Sequence, residues 1–173
     1  MNYNDDDIIK SEISWHELFM RQVYVVARKS KDPRTKIGAV LVKDNRIIAT
    51  GYNGFPSGVL DLKIRYDQRE VKYQYVVHGE HNAILSCARI GVSSVGSSLY
   101  TQGYPCNECC KAIIQGGVSE VIIHKQWPVM SSPKWKESHI ISCNMLSEAQ
   151  VRVIIFDKVL HLLGKLDDEI ISV

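Results

Sequence analysis

The sequence predicts an α/β domain in which helices pack on both faces of a mixed β-sheet. Three observations carry this. The chain has 173 residues, 45% of them apolar and 23% charged. That length and balance suit one domain around one core, and they exclude disordered, collagenous and coiled-coil chains. β-rich and helical segments alternate from residue 14 onwards, with no repeat, low-complexity tract or linker between them. The first two β-rich runs are joined by a connection too short for a crossover, so that pair is antiparallel and the sheet is mixed.

Residues 1–13 are acidic and aperiodic and read as a loose arm, with one domain over 14–166 and a tail at 167–173. Ser14 is placed as a helix N-cap, and Glu17 three residues on completes a capping box. Leu18, Val23, Val26 and Ala27 then recur at helical spacing, until Asp32-Pro33 breaks the pattern. Residues 37–42 and 46–52 are strands joined at Lys43-Asp44-Asn45. The turn cluster Asn53-Gly54-Phe55-Pro56 opens a long polar loop that runs to about Gln74. A helix follows over 79–90, a strand over 98–102, a helix over 107–115 and a strand over 118–124. A helix over 134–149, a strand over 151–156 and a final helix over 158–166 complete the expectation.

Charge and cysteine usage narrow the function. Twenty-one Lys and Arg face nineteen Asp and Glu, too even a balance for a protein held on nucleic-acid phosphates. No apolar run approaches the roughly 18 residues of a membrane span. Asp5-Asp6-Asp7 stands where a signal peptide needs positive charge, so a soluble, cytoplasmic protein is expected. Five cysteines are an odd count, which in a reducing compartment reads as metal ligands plus buried thiols.

His78-Gly79-Glu80 and Pro105-Cys106-Asn107-Glu108-Cys109 both stand at the start of a predicted helix. One His and two Cys offer zinc three protein ligands and leave a fourth position open for water. The positive end of a helix favours the thiolate, which suits Cys106 and Cys109. Glu80, two residues past His78, can reach that water without being a ligand, as a proton shuttle must. A closed structural site would need Cys110 as fourth ligand, but its place beside Cys109 makes joint chelation awkward and leaves Glu80 idle. A redox role for the two cysteines lacks a thioredoxin-like context. Cys87, Cys110 and Cys143 are expected to be core thiols.

His-x-Glu followed by Pro-Cys-x-x-Cys is the signature of the zinc nucleobase deaminases. Together with the segments Ser30-Lys31-Asp32-Pro33-Arg34-Thr35-Lys36-Ile37-Gly38 and Gly51-Tyr52-Asn53-Gly54-Phe55-Pro56, the chain resembles the deoxycytidylate (dCMP) deaminase branch of the cytidine deaminase superfamily. The resemblance covers about residues 14–156. It implies a three-layer α/β/α fold with a five-stranded sheet, a Zn2+ cofactor and hydrolytic loss of the 4-amino group of cytosine. The expected products from dCMP are dUMP and ammonia, a supply of dUMP for dTMP synthesis. It also implies a homo-oligomer and makes regulation by dCTP and dTTP thinkable, with residues 54–74 as the sensing region. The sequence departs from the family at Gly79, where alanine is usual, and at Trp127–Trp135, where a tyrosine-containing segment is usual.

For the substrate, Arg34 and Lys36 are candidate phosphate partners, and Asn53 is a candidate for a sugar hydroxyl. Backbone groups near Gly79 and over 101–105 would hold the base edge, with Ser131, Ser132 and Lys134 as further phosphate candidates. Alternatives are a deaminase of CMP, of a modified cytidine nucleotide or of a base in a nucleic acid, and a zinc-stabilised nucleotide sensor without catalysis.

Overall fold

In the computed structural model, which describes residues 10–127 and 135–173, five strands form one sheet. They are β1 (Gly38–Lys43), β2 (Arg46–Tyr52), β3 (Ser98–Thr101), β4 (Glu120–His124) and β5 (Arg152–Phe156), in the order β2-β1-β3-β4-β5. β1 pairs antiparallel with β2 and β3, while β3, β4 and β5 run parallel. The expected mixed sheet is therefore present. Asp44 and Asn45 turn the first hairpin at φ 50° and 57°, the positive values that a two-residue hairpin turn requires.

Alternate strand residues face opposite sides, and each side has its own helices. Ala39, Leu41, Leu99, Val121 and Ile123 meet Ala83 and Cys87 of α4 (Gly79–Ile90), Ile113 of α5 (Asn107–Gln115) and Leu146 of α6 (Lys136–Glu148). On the other face Val40, Val42, Tyr100 and Ile122 meet Phe19, Met20 and Val23 of α1 (Trp15–Ala27). Ser14 Oγ accepts from the Glu17 N–H at 3.1 Å, as an N-cap should. The Glu17 carboxylate does not close the box: it accepts from Arg21 and Lys158 instead.

The structure corrects three expectations. The polar stretch before residue 75 is not one loop but carries two short helices, α2 (Lys63–Asp67) and α3 (Arg69–Tyr75). Buried Tyr66 of α2 stacks on Phe55 with ring centroids 4.3 Å apart, which anchors the segment. The final helix is absent. Residues 158–162 run as irregular chain into a hairpin of β6 (Leu163–Leu166) and β7 (Glu169–Ser172), so the supposed tail contributes a strand. Trp127 explains why. Its ring covers the backbone of Gly164, where a Cβ would stand 2.6 Å from Cζ3, and Leu160 and Val173 join the same core. Cys143, expected in the core, is exposed, while Cys87 and Cys110 are buried.

His124, at the end of β4, is buried with Nε2 donating to the Lys158 carbonyl at 2.8 Å. Its Nδ1 therefore accepts from Tyr24 Oη at 2.7 Å. Gly51 lets β2 touch the start of α4: a Cβ there would lie 2.1 Å from Gly79 O and 2.3 Å from Ala83 N. Both contacts are backbone, so only a shift of the helix can relieve them. Gly51→Ala should cost about 3 kcal/mol, the upper end for overpacking. Denaturant melts would show it, and a loss under 1 kcal/mol would mean that the helix moves freely.

Candidate active site

α4 and α5 begin at neighbouring points, and the residues before them carry the donors. His78 is the N-cap of α4 and Cys106 the N-cap of α5, both in extended backbone and neither capping its helix with its side chain. Their side chains are therefore available to each other. Cys109 is the third residue of α5. N-cap and third-residue side chains share one side of a helix start, the relation a capping box uses. The Cys-x-x-Cys spacing thus aims both sulfurs at one point. Asn107 N–H donates to Ser138 Oγ at 3.0 Å and the hydroxyl donates back to Asn107 Oδ1, which ties α6 to this junction.

His78 Nδ1 lies 3.3 Å from Cys106 Sγ and 3.5 Å from Cys109 Sγ. The three donor atoms all fall within 4.8 Å of one another. One imidazole and two thiols at that spacing fit zinc and leave a position open. The metal-free charges already lean that way. Cys106 is pushed down to about 4, chiefly by a hydrogen bond from Cys109 and then, against burial, by His78. Cys109 is pushed up by the same neighbouring sulfur and by burial. Burial works against a charged His78, but the Cys106 hydrogen bond and the Glu80 carboxylate outweigh it and raise the imidazole to about 9. Glu80 Oε2 is 3.7 Å from Cys109 Sγ, and burial pushes its carboxyl up.

The cluster opens into a cavity of about 200 Å³. Tyr73, Tyr104, Trp135 and His139 give it aromatic walls beside His78 and Cys106. Trp135 stands edge-on to His78 with ring centroids 6.2 Å apart. Away from the cluster the lining turns polar, with Asp32, Thr35, Asn53 and Lys72.

The other expected contacts divide. Asn53 lines the cavity, but its amide is already committed to the fold. Oδ1 accepts from the Ile37 N–H at 2.8 Å, and Nδ2 donates to Thr35 O and Asp32 Oδ2. Arg34 and Lys36 do not line it. Lys36 Nζ donates to Ser30 O, and the Arg34 guanidinium meets Asp67 O and Asp168. The alternating neighbours Thr35 and Ile37 line the cavity instead. Gly79 lies under the chain at Ile37–Gly38, where an added Cβ would meet Ile37 O at 3.3 Å, and is not part of the lining. Gly103 and Tyr104, within the expected 101–105 turn, are. Ser131, Ser132 and Lys134 lie outside the described residues.

Lys72 was not singled out by its sequence. It is buried and donates to Asp32 Oδ2 at 2.8 Å, while Asp32 Oδ1 accepts from the N–H groups of Arg34 and Thr35. A lysine in a polar stretch ordinarily reads as solvated, and only the paired Asp before Pro33 hints otherwise. His139 likewise gave no ligand-like spacing.

Comparison with known proteins agrees with this geometry. Residues 13–125 match the model of the cytidine and deoxycytidylate deaminase zinc-binding region. A protein of Aliivibrio fischeri named as a deaminase in the luxG 3′ region is 39% identical over 139 residues, covering 80% of this chain and 91% of that one. Human deoxycytidylate deaminase is 40% identical over 116 residues, 64% of each chain, so the match spans just under two thirds of that enzyme. The dCMP deaminase of cyanophage S-TIM5, solved with dCMP and dUMP, superposes with a TM-score of 0.62 at 27% identity, covering 81% of this chain and 95% of that one. With the zinc-fitting donors at paired helix starts and a family match over most of its domain, the chain belongs to the cytidine and deoxycytidylate deaminase zinc-binding family.

Proposed function

We propose that the protein converts dCMP and water into dUMP and ammonia. The observation that carries this is the Glu80 carboxylate beside the His78–Cys106–Cys109 cluster, at the aromatic end of one cavity. Relatives bearing the name deoxycytidylate deaminase support the choice of substrate. His78, Cys106 and Cys109 would hold the zinc, which supplies a Lewis acid able to acidify water at neutral pH. Glu80 takes a proton from that water as its oxygen adds to C4 of the ring. The same carboxyl passes that proton to N3, then takes the second from the hydroxyl now on C4 and gives it to the amine, so that ammonia leaves as the C4–N bond breaks and the C4 carbonyl forms.

The chain's remaining residues bind and exclude. The aromatic walls accept the flat base, and burial of Glu80 keeps bulk water from competing for its proton. Thr35, Asn53 and Lys72 form the polar wall for the sugar and phosphate. Lys72 takes the place intended for Arg34 and Lys36 as a cation on that wall.

Around this activity we place a cytoplasmic homo-oligomer that supplies dUMP for dTMP synthesis and responds to dCTP or dTTP. Among the described residues, no helix is long and apolar enough to cross a membrane. The test is ammonia release from dCMP, CMP, dCTP, deoxycytidine and a short single-stranded DNA, each offered to zinc-loaded protein. dCMP should give the highest kcat/KM. A higher value for CMP or for the single strand would replace the substrate, and release from none would leave a nucleotide sensor.

A further inference from the structure

The β6–β7 hairpin lies beyond the residues that match the family, 13–125, yet it reaches the cavity. Its turn is Asp167-Asp168, with both residues at positive φ, 44° and 73°. The hairpin docks on the chain ahead of β1 largely through backbone groups. Lys36 N–H donates to Lys165 O at 3.0 Å, Asp168 N–H to Arg34 O at 2.9 Å, and Asp167 N–H to Thr35 Oγ1 at 3.0 Å. This docking puts Leu166 and Asp167 on the cavity wall beside Thr35, and the Asp168 carboxylate 3.9 Å from Arg34 Nε.

The turn is held mainly by its N–H and C=O groups; the Asp167 carboxylate adds one long hydrogen bond, accepting from Thr35 Oγ1 at 3.4 Å, which an asparagine amide oxygen can also accept. Asp167 lines the cavity, and Asp168 stands next to it on the outer side, against Arg34. Asp167 adds negative charge to the polar wall with Arg69 as a cation in range of it, Asp168 occupies the side of Arg34, and Lys72 is already paired with Asp32. A substrate phosphate at this wall meets Asp167 as a like charge, against which the Lys72 cation must work.

We propose that the Asp167-Asp168 turn is a specificity element that weighs against negative charge on the substrate, so that every phosphate charge added to the nucleotide is penalised. The inference rests on the reading that a cytosine nucleotide occupies this cavity. It selects the monophosphate over the triphosphate, and it makes the C-terminal hairpin part of the substrate site. Like charges about 7 Å apart across a wet cleft shift an equilibrium roughly two- to sevenfold per pair. Salt screens much of this.

The test is the double variant Asp167→Asn/Asp168→Gly in zinc-loaded protein. Asn-Gly is the preferred pair for a two-residue turn with both φ positive, so the hairpin should persist with an unchanged or higher Tm. Kd is measured by calorimetry for deoxycytidine, dCMP and dCTP at low and high salt. For dCMP it should fall about three- to tenfold and for dCTP further, with deoxycytidine within about twofold. High salt should shrink these differences. Unchanged dCMP binding, or an equal shift for deoxycytidine, overturns the proposal, as does a wild type that binds none of the three. If the double variant fails to fold, Asp167→Asn alone carries the same test with a smaller shift. Turnover is read separately. Charge-dependent binding without deamination would sink the proposed activity and leave the specificity element standing, whereas deamination with charge-blind binding does the reverse.

Discussion

Glu80→Gln should keep its zinc and its fold and lose at least about 10⁴-fold in kcat, the upper figure for a single general acid–base group. The expectation is that high because one carboxyl serves several proton transfers, from the water, to N3 and to the departing amine. The amide preserves shape and volume but accepts no proton. Stability should hardly move. Burial already biases Glu80 towards its neutral form, which glutamine imitates. Zinc content, Tm and kcat measured on one preparation decide the matter. Full zinc with kcat within tenfold of wild type would assign the proton transfers to another group.

The second large effect is on the metal. Cys106→Ser and Cys109→Ser should each leave the purified protein without zinc and without turnover. Losing an outer-shell partner of a metal ligand costs about 10–100-fold in affinity, and losing a thiolate ligand itself costs more. Removing zinc from the wild type with a chelator should lower the unfolding free energy by about 4 kcal/mol, the stabilisation expected at a thousandfold excess over Kd. Activity should return with added zinc. Cys110→Ser is the control. Its sulfur is buried near Pro105 O rather than in the donor cluster, so this variant should retain its metal. Zinc loss there, or full occupancy in either ligand variant, would redraw the site.

The parts of the site legible in the sequence are those where spacing alone determines geometry. Cys-x-x-Cys at a helix start brings its two sulfurs together by local geometry, and His78 and Glu80 meet them because α4 and α5 begin at neighbouring points. The polar wall was not legible for the opposite reason. Arg34 and Lys36 flank Thr35, and in chain of this kind a shift of one position exchanges the residues that face a cavity for those that leave it. Composition cannot set that parity. It is set by the turn in which Asp32 Oδ1 holds the N–H groups of Arg34 and Thr35. Asn53 was legible as a residue of the cavity, while its commitment to Ile37, Thr35 and Asp32 depends on contacts distant in sequence.

The sheet and most helices followed from periodicity, including the N-cap at Ser14 and the turn at Asp44-Asn45. The C-terminal hairpin did not. Leucines at 160, 162, 163 and 166 fit a helical stripe, and contacts distant in sequence, the packing of Trp127 over Gly164 and the bonds to the chain ahead of β1, accompany the extended form. Cys143 was misplaced because α6 carries apolar residues on more than one side, and Ile140 and Ile141 are exposed along with it.

The buried pair of Tyr24 and His124 gives the domain a threshold in acid that has nothing to do with catalysis. With Nε2–H given to the Lys158 carbonyl, the ring can accept the tyrosine hydroxyl only while it is neutral. Burial lowers the folded-state value of His124 below its ordinary 6.5, so below that pH the unfolded chain takes up a proton that the folded chain refuses. This share of stability is complete above about 6.5 and drains away as the pH falls towards the lowered folded value. Replacing His124 with glutamine, which can still donate to a carbonyl and accept from a hydroxyl, should flatten that part of the Tm profile. An acid limb in the activity of wild-type protein that vanishes in the glutamine variant would then report the melting of the α1 face, not the titration of the site.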